Sequence, residues 1–238
     1  MSTLTLIRHG QATPFEKITD RLSEIGEAQS RKLADYWLRY GVQFDEVYVG
    51  TLTRHHRTAE IVYEGYSQAG LPLPEPVVMS EFNEYDADGI LHRLRPALAE
   101  KNPEFRRLCV EFDANKDTPN RNRYFQKMFE ALMTIWLEGH IHLSDVESWL
   151  SFSARVERGL KKIIQGGSRR RIAVFTSGGP IGVMVQIAVN ATEQSALDLN
   201  WRIRNCSITE LLFNRNKLSL DWFNATPHLD EPHLRTYR

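Results

Sequence analysis

The sequence predicts an α/β fold of three layers, with helices on both faces of a mainly parallel central sheet and a helical insertion. Three observations carry this. Short β-branched runs alternate with amphipathic stretches at helical spacing, the pattern of strand–helix units. Glycines 41 and 70 close the first two of those stretches, and a new apolar run follows each. Between residues 82 and 147 the alternation fails, and Pro96, Pro103 and Pro119 divide the chain into shorter helical pieces.

Taken in order, Thr3 to Ile7 reads as a buried strand, and "GQATPFEK" after it as a loop. "LSEIGEAQSRKLADYWLRYG" spaces Ile25, Ala28, Leu33, Tyr36, Trp37 and Tyr40 as a helix would. "EVYVG" is a second strand, "LTRHHRTAEIVYEGYSQAG" a second helix, and "VVMSEF" a third strand. In the insertion, "RYFQKMFEALMTIWLEG" sets Phe125, Phe129, Leu132 and Trp136 on one stripe. A helix over "SWLSFSARVERGLKKIIQGG" carries Trp149, Phe152, Val156, Leu160 and Ile163 on one face. "RIAVFTS" is a buried strand, "GGPIGVMVQIAVN" the helix behind it, and "ITELLF" with "LSLDWFN" a closing strand pair.

At 238 residues, with 42% apolar and 25% charged side chains, the chain can bury one substantial core. A single domain over 1–238 with an insertion at 82–147 is expected, the insertion either packing on the sheet domain or serving as a lid. Thirty basic residues balance thirty acidic ones, so no global field points to nucleic acid or to an anionic membrane. Cys109 and Cys206 form no CxxC pair, which argues for a reducing compartment. The N-terminus lacks the basic and long apolar regions of a signal peptide, and no stretch approaches the roughly 20 apolar residues of a membrane helix. A cytoplasmic protein is expected. Nothing in the sequence signals an oligomeric state.

Ligands of open α/β sheets bind at the carboxyl ends of the strands. Arg8-His9-Gly10 ends the first strand, Ser177-Gly178-Gly179 a later one, Glu81 the third, and the turn after the second leads to Arg54. Two guanidiniums offer forked donors that match phosphate oxygens. The Gly178-Gly179 turn offers backbone N–H groups at the positive end of a helix. A neutral imidazole among them can take a phosphoryl group once the anion's charge is offset, and a carboxylic acid can protonate the departing alkoxide. This chemistry needs no metal and no cofactor. Chemistry alone does not choose among the basic residues of "TRHHRT", nor between Glu81 and Glu84, Asp86 or Asp88.

In this arrangement the chain resembles the histidine phosphatase superfamily, also called phosphoglycerate mutase-like. "LTLIRHGQA" resembles its opening strand and RHG motif, and "LSEIGEAQSRKLADYW" its first helix. "VYVGTLTRHHRTAEIV" resembles its SxLxRxxxTA segment, with Gly50 where serine is usual, and selects Arg54 over Arg57. "VVMSEF" resembles the segment that ends in the acid and selects Glu81; "NCSITEL" and "FNATPHL" resemble the closing segments. The resemblance implies His9 as the nucleophile, Arg8 and Arg54 as holders of the phosphoryl oxygens, and Glu81 as the proton donor. Ser177 stands where the family usually has a second histidine, and a helix-capping role would account for a serine there. Ser177 and Gly178 complete the implied phosphate site with Arg8, His9 and Arg54, while His228, His55 and His56 are weighed as spatial substitutes for the missing imidazole.

The implied function is a metal-independent phosphomonoesterase, histidine acid phosphatase-like, working through a phosphohistidine on His9. Its partner would be a small phosphate ester or phosphate. The alternatives are a catalytically weakened or inactive phosphate-binding protein of the same fold, and a phosphoglycerate mutase. "FNEYDADGIL" shares little with the mutases, and the insertion's Arg93, Arg95, Arg121, Arg123 and Glu130 pick out no substrate class.

Overall fold

The computed structural model describes residues 1–13, 20–139, 143–215 and 217–237. The loop expected over 10–17 therefore runs outside the described residues after 13, as do residues 140–142 of the expected insertion. Two compact units divide the chain: Met1–Glu84 with Arg155–Arg238, and Tyr85–Ala154.

The first unit is an α/β layer structure. In chain order it holds β1 (Ser2–Arg8), α1 (Glu24–Arg39), β2 (Glu46–Val49), α2 (Thr53–Gln68) and β3 (Val77–Val78), then a 3₁₀ turn at Ser80–Phe82. The second unit holds α3 (Ala87–Gly89), a π-helical turn (Ile90–Leu94), α4 (Arg95–Lys101), α5 (Pro103–Asn115) and α6 (Arg121–Glu138). The unit boundary falls within α7 (Trp149–Ile164). Then β4 (Arg171–Thr176), α8 (Gly178–Val189), α9 (Glu193–Asn200), β5 (Ile208–Phe213) and β6 (Leu218–Ala225) complete the first.

Six strands form one sheet in the order β3-β2-β4-β1-β5-β6. The β2–β3, β2–β4 and β1–β4 pairs are parallel, whereas β5 and β6, the expected closing pair, are added antiparallel. Residues 3–7 read as buried because both sheet faces are covered; Leu4, Leu6 and Ile7 are wholly inaccessible. Strand register assembles the rim of the site. Arg8 pairs with Thr176 and Val49 with Phe175, so residues 9, 177 and 50 leave three adjacent strands at one rim. His9 N–H donates to Thr176 O at 2.9 Å and Gly50 N–H to Phe175 O at 3.1 Å, carrying the ladder one residue past the strands.

The helices close as expected, with Gly41 and Gly70 in the left-handed region at φ 63° and 70°. The face of α1 is rotated from the predicted stripe: Gln29 and Ser30 are buried, while Tyr40 is 66% exposed. Burial of Gln29 is supported by three hydrogen bonds, from Gln11 N–H (2.8 Å), to Leu234 O (2.7 Å) and to Thr236 Oγ1 (2.9 Å). The third strand is shorter than "VVMSEF" predicts. Its two residues give way to the 3₁₀ turn because Phe82 plunges into the core, fully buried, with its carbonyl held by Thr176 Oγ1 at 2.6 Å. Helix α9, capped by Thr192 on Ser195 N–H, has no counterpart among the elements that the sequence pattern predicts.

Within the second unit, Tyr85, Trp136, Trp149 and Phe152 form an aromatic cluster with neighbouring ring centroids 5.3 to 6.0 Å apart. Trp136 satisfies its indole N–H on Glu147 O at 2.7 Å.

Candidate active site

His9 leaves β1 into a tightly packed turn. A side chain on Gly10 would meet Gly26 O of α1 at 2.4 Å, so only glycine lets the turn lie against that helix. Gly10 N–H donates to Thr58 Oγ1 of α2 (3.0 Å), and Thr58 donates in turn to Arg54 O (2.7 Å), so the helix that presents Arg54 is tied to the loop that presents His9.

The His9 ring is 6% exposed, with Nδ1 2.7 Å from Gly10 O. A carbonyl can only accept, so Nδ1 carries the proton and Nε2 keeps the free electron pair. Burial lowers the His9 pKa well below 6.5; Arg54, Arg8 and His55 push it the same way, and Gly10 O opposes them weakly. The imidazole is neutral at neutral pH.

Arg54 ion-pairs with Asp20 at 2.7 Å through one terminal nitrogen, and Asp20 also accepts from Thr53 N–H at 2.6 Å. The Arg54 Nε is a buried donor without a hydrogen-bond partner among the described residues. Arg8 donates to Ile203 O and, at 2.8 Å, to Tyr237 O, which ties it to the segment that follows the 3₁₀ turn at Pro232–Leu234. Both guanidiniums act on His9 electrostatically, so the structure brings Arg8, His9 and Arg54 together.

Ser177 is fully buried at the start of α8, yet its hydroxyl makes no capping bond. It lies 2.6 Å from Nε2 of His55, whose ring is also fully buried and whose centroid is 5.8 Å from that of His9. Burial lowers the His55 pKa well below 6.5, with Arg54 and His56 adding to the shift. Of the histidines weighed as substitutes, it is therefore His55 that meets Ser177. His56 lines a groove with Tyr63 and Leu73, and His228 packs 6.1 Å from the ring of Tyr36, with burial pushing its pKa down to about 4. Helix phase would have singled out His55, because it shares the buried face of α2 with Thr58, Ala59, Val62 and Tyr66. Gly178 abuts Asn200, whose Oδ1 would lie 2.4 Å from an added Cβ.

The acids divide. Glu81, inside the 3₁₀ turn, directs its carboxylate to Lys162 of α7, and that ion pair lowers its pKa. Three residues on, Glu84 accepts from Gly179 N–H at 3.3 Å, at the mouth of α8 beside Ser177. Arg155 gathers this loop, donating to the carbonyls of Glu81 (3.0 Å), Asn83 (2.8 Å) and Glu84 (3.0 Å). Asn83 clamps it to the β2 end through Thr51 N–H (2.7 Å) and Thr51 Oγ1 (2.6 Å). Among the described residues no cluster of His, Cys, Asp and Glu is arranged to hold a metal ion, and no helix is long and apolar enough to cross a membrane.

A family profile described as the histidine phosphatase superfamily (branch 1) matches residues 4–133 and 121–226. No curated protein sequence matches the chain significantly. Among solved structures, alpha-ribazole phosphatase from Shigella flexneri superposes with a TM-score of 0.62 at 19% identity, covering 94% of this chain and 96% of that one. Phosphoserine phosphatase from Entamoeba histolytica, with phosphoserine, gives 0.60 at 18% identity and 96% and 100% coverage. Phosphoglycerate mutase from Bacillus anthracis gives 0.63 at 15% identity and 96% and 95% coverage, so the fold is phosphoglycerate mutase-like.

Proposed function

The chain belongs to the histidine phosphatase superfamily, and on that premise we propose that it is a metal-independent phosphomonoesterase acting through a phosphohistidine on His9. The observation that carries this reading is the setting of His9: buried, with Nδ1 held 2.7 Å from Gly10 O so that Nε2 keeps its electron pair, and with burial, Arg54 and Arg8 all lowering its pKa. In the first step the Nε2 electron pair forms the N–P bond as the ester P–O bond breaks, and the leaving alkoxide takes a proton from a carboxylic acid. In the second, water attacks phosphorus, its proton returns to that carboxylate, and the N–P bond electrons return to Nε2. The Nε of Arg54, which meets no acceptor among the described residues, suits a phosphoryl oxygen, and the positive charge of Arg8 supports the same anion. We assign the proton donor to Glu84, because its carboxylate lies at the α8 mouth beside Ser177, whereas that of Glu81 is directed to Lys162 of α7. The substrate is a small phosphate ester.

Turnover of an aryl phosphate in the presence of a chelator tests the reading. The expected result is chelator-resistant hydrolysis that His9→Ala abolishes, with an acid-labile phosphoenzyme trapped on the wild-type protein. Turnover that survives His9→Ala, or none from either protein while phosphate still binds, would reject it.

A further inference from the structure

His55, Ser177 and Gly50 share one small volume at the sheet rim. On one side of the His55 ring, Nε2 lies 2.6 Å from Ser177 Oγ. On the other, Nδ1 has no hydrogen-bond partner among the described residues and faces Gly50, where an added Cβ would stand 2.3 Å from Nδ1 and 2.9 Å from Cε1. The ring fits because position 50 has no side chain. Both His55 and Ser177 are fully buried, and the His55 ring sits beside that of His9, tilted by 38°.

The tautomer follows from these contacts. A neutral imidazole has one N–H. Placed on Nδ1, that hydrogen would be a buried donor with nothing to receive it; placed on Nε2, it meets the serine oxygen. Orphaned buried N–H groups are the rarer and costlier case. Nε2–H therefore donates to Ser177 Oγ, and the serine hydrogen turns away from His55. A hydroxyl that accepts on one side is polarised to donate on the other. Ser177 makes no bond to its own helix that would use that hydrogen. The residue follows β4 as His9 follows β1, on paired neighbouring strands, so the hydroxyl and the nucleophilic ring stand at one rim.

We propose that His55 is a positioning residue for the phosphoryl transfer: it fixes the Ser177 hydroxyl as a hydrogen-bond donor to an oxygen of the group that passes to His9, without touching substrate itself. The proposal rests on the phosphatase reading above. No bond is made or broken at either residue; both keep their protons through both steps. The lowered pKa of His55 keeps the ring neutral, so the donor is a hydroxyl and not a second cation.

The test compares Ser177→Ala, His55→Ala, His55→Gln and the double variant Ser177→Ala/His55→Ala. Its readouts are steady-state turnover of an aryl phosphate without metal, calorimetric binding of vanadate as a stand-in for the transferring group, and melting temperature. Each alanine variant should lower kcat by about 10²-fold, the usual loss of one transition-state donor, with KM little changed. The double variant should be no slower than the slower single variant, since the two residues act as one unit. His55→Gln, which keeps a side-chain N–H, should recover part of the loss. An unchanged kcat in Ser177→Ala overturns the proposal, as do losses from the two sites that multiply. If the wild-type protein turns nothing over, the phosphatase reading fails and vanadate decides the rest: equal, non-additive weakening upholds the donor arrangement, and unchanged binding in Ser177→Ala rejects it. Should His55→Ala lose cooperative melting, Ser177→Ala and His55→Gln still distinguish these outcomes.

Discussion

Glu84 and Gly179 are joined across the site: the carboxylate accepts the backbone N–H at the mouth of α8, 3.3 Å away. The loop that makes this possible is held by Arg155 from 71 residues further along the chain, through bonds to the backbone carbonyls of Glu81, Asn83 and Glu84. Such bonds fix a backbone path regardless of the side chains on it, and here they leave Glu84 facing the α8 start.

If Glu84 is the proton donor, Glu84→Gln should lower kcat for an alkyl phosphate ester by about 10²- to 10⁴-fold. A phenol with a low pKa, which leaves without a proton, should be affected much less. Glu81→Gln breaks the pair with the exposed Lys162 and should leave kcat close to wild type. Steady-state kinetics with both ester classes separates the two carboxylates, and the opposite ranking would return the role to Glu81.

The pH profile should show the cost of protonating His9. Only the neutral ring attacks, and its pKa is held well below 6.5 by burial, Arg54 and Arg8. The acid limb of kcat/KM should therefore lie well below pH 6.5. Arg54→Met removes the larger of the two cationic influences, raises the His9 pKa, and should move that limb upward. The variant's residual activity should fall more steeply than wild type between pH 7 and pH 5. An unmoved limb would mean that another group governs it.

Stability should follow a related rule. His228 is buried with a pKa of about 4, so between that value and the ordinary 6.5 the unfolded chain binds more protons than the folded one. Its contribution is intact above pH 6.5 and declines by about 1.4 kcal/mol per pH unit as pH falls through that window. His9 and His55 shift in the same direction and add to the slope. Urea denaturation at pH 7 and pH 5 should register the loss, and His228→Phe, which keeps a ring beside Tyr36 without a titratable group, should reduce it.

Gly50→Ala should be far costlier than its size suggests. The added methyl would stand 2.3 Å from His55 Nδ1 and 2.9 Å from Asn83 Oδ1, so the imidazole must move. Overpacking of this kind costs about 1–3 kcal/mol. Thermal melting should fall accordingly, and kcat should fall with it toward the level of His55→Ala.

Ser177→His should impair the protein rather than improve it. The new ring would occupy the volume that the His55 ring already fills, 2.6 Å from the serine oxygen it replaces. Adding His55→Ala to that variant empties the space, and the pair should melt higher and turn over faster than Ser177→His alone. A faster single variant would contradict the packing described above.

Much of the fold is legible in the sequence. Periodicity locates α1, α2 and α7 as one-sided helices, and continuous apolar runs locate β1, β4 and α8, which are covered on all sides. His9 and Ser177 stand out because they follow strand ends, and the register of parallel neighbours puts those ends at one rim, whereas likeness to the family, not position, selects Arg54 over Arg57. What periodicity misses depends on distant partners. "VVMSEF" reads as six strand residues, yet Val77 and Val78 are both 52% exposed on the sheet edge and the chain turns as soon as Phe82 finds the core. Local likeness selects Glu81, and nothing near it in sequence announces Lys162 or Arg155. His55 and His56 differ by one step of a helix, and only the buried stripe of α2 separates them.

The absence of a side chain at position 50 also constrains how the site can be redesigned. Three residues occupy one volume, so they cannot be exchanged independently: the His55 ring from α2 collides with any side chain added at 50 and abuts the hydroxyl at 177. A larger side chain at 50 or 177 can be accommodated only once the imidazole has been removed. Enlarging either neighbour while the ring is in place meets a steric barrier that the same change made together with loss of the ring does not.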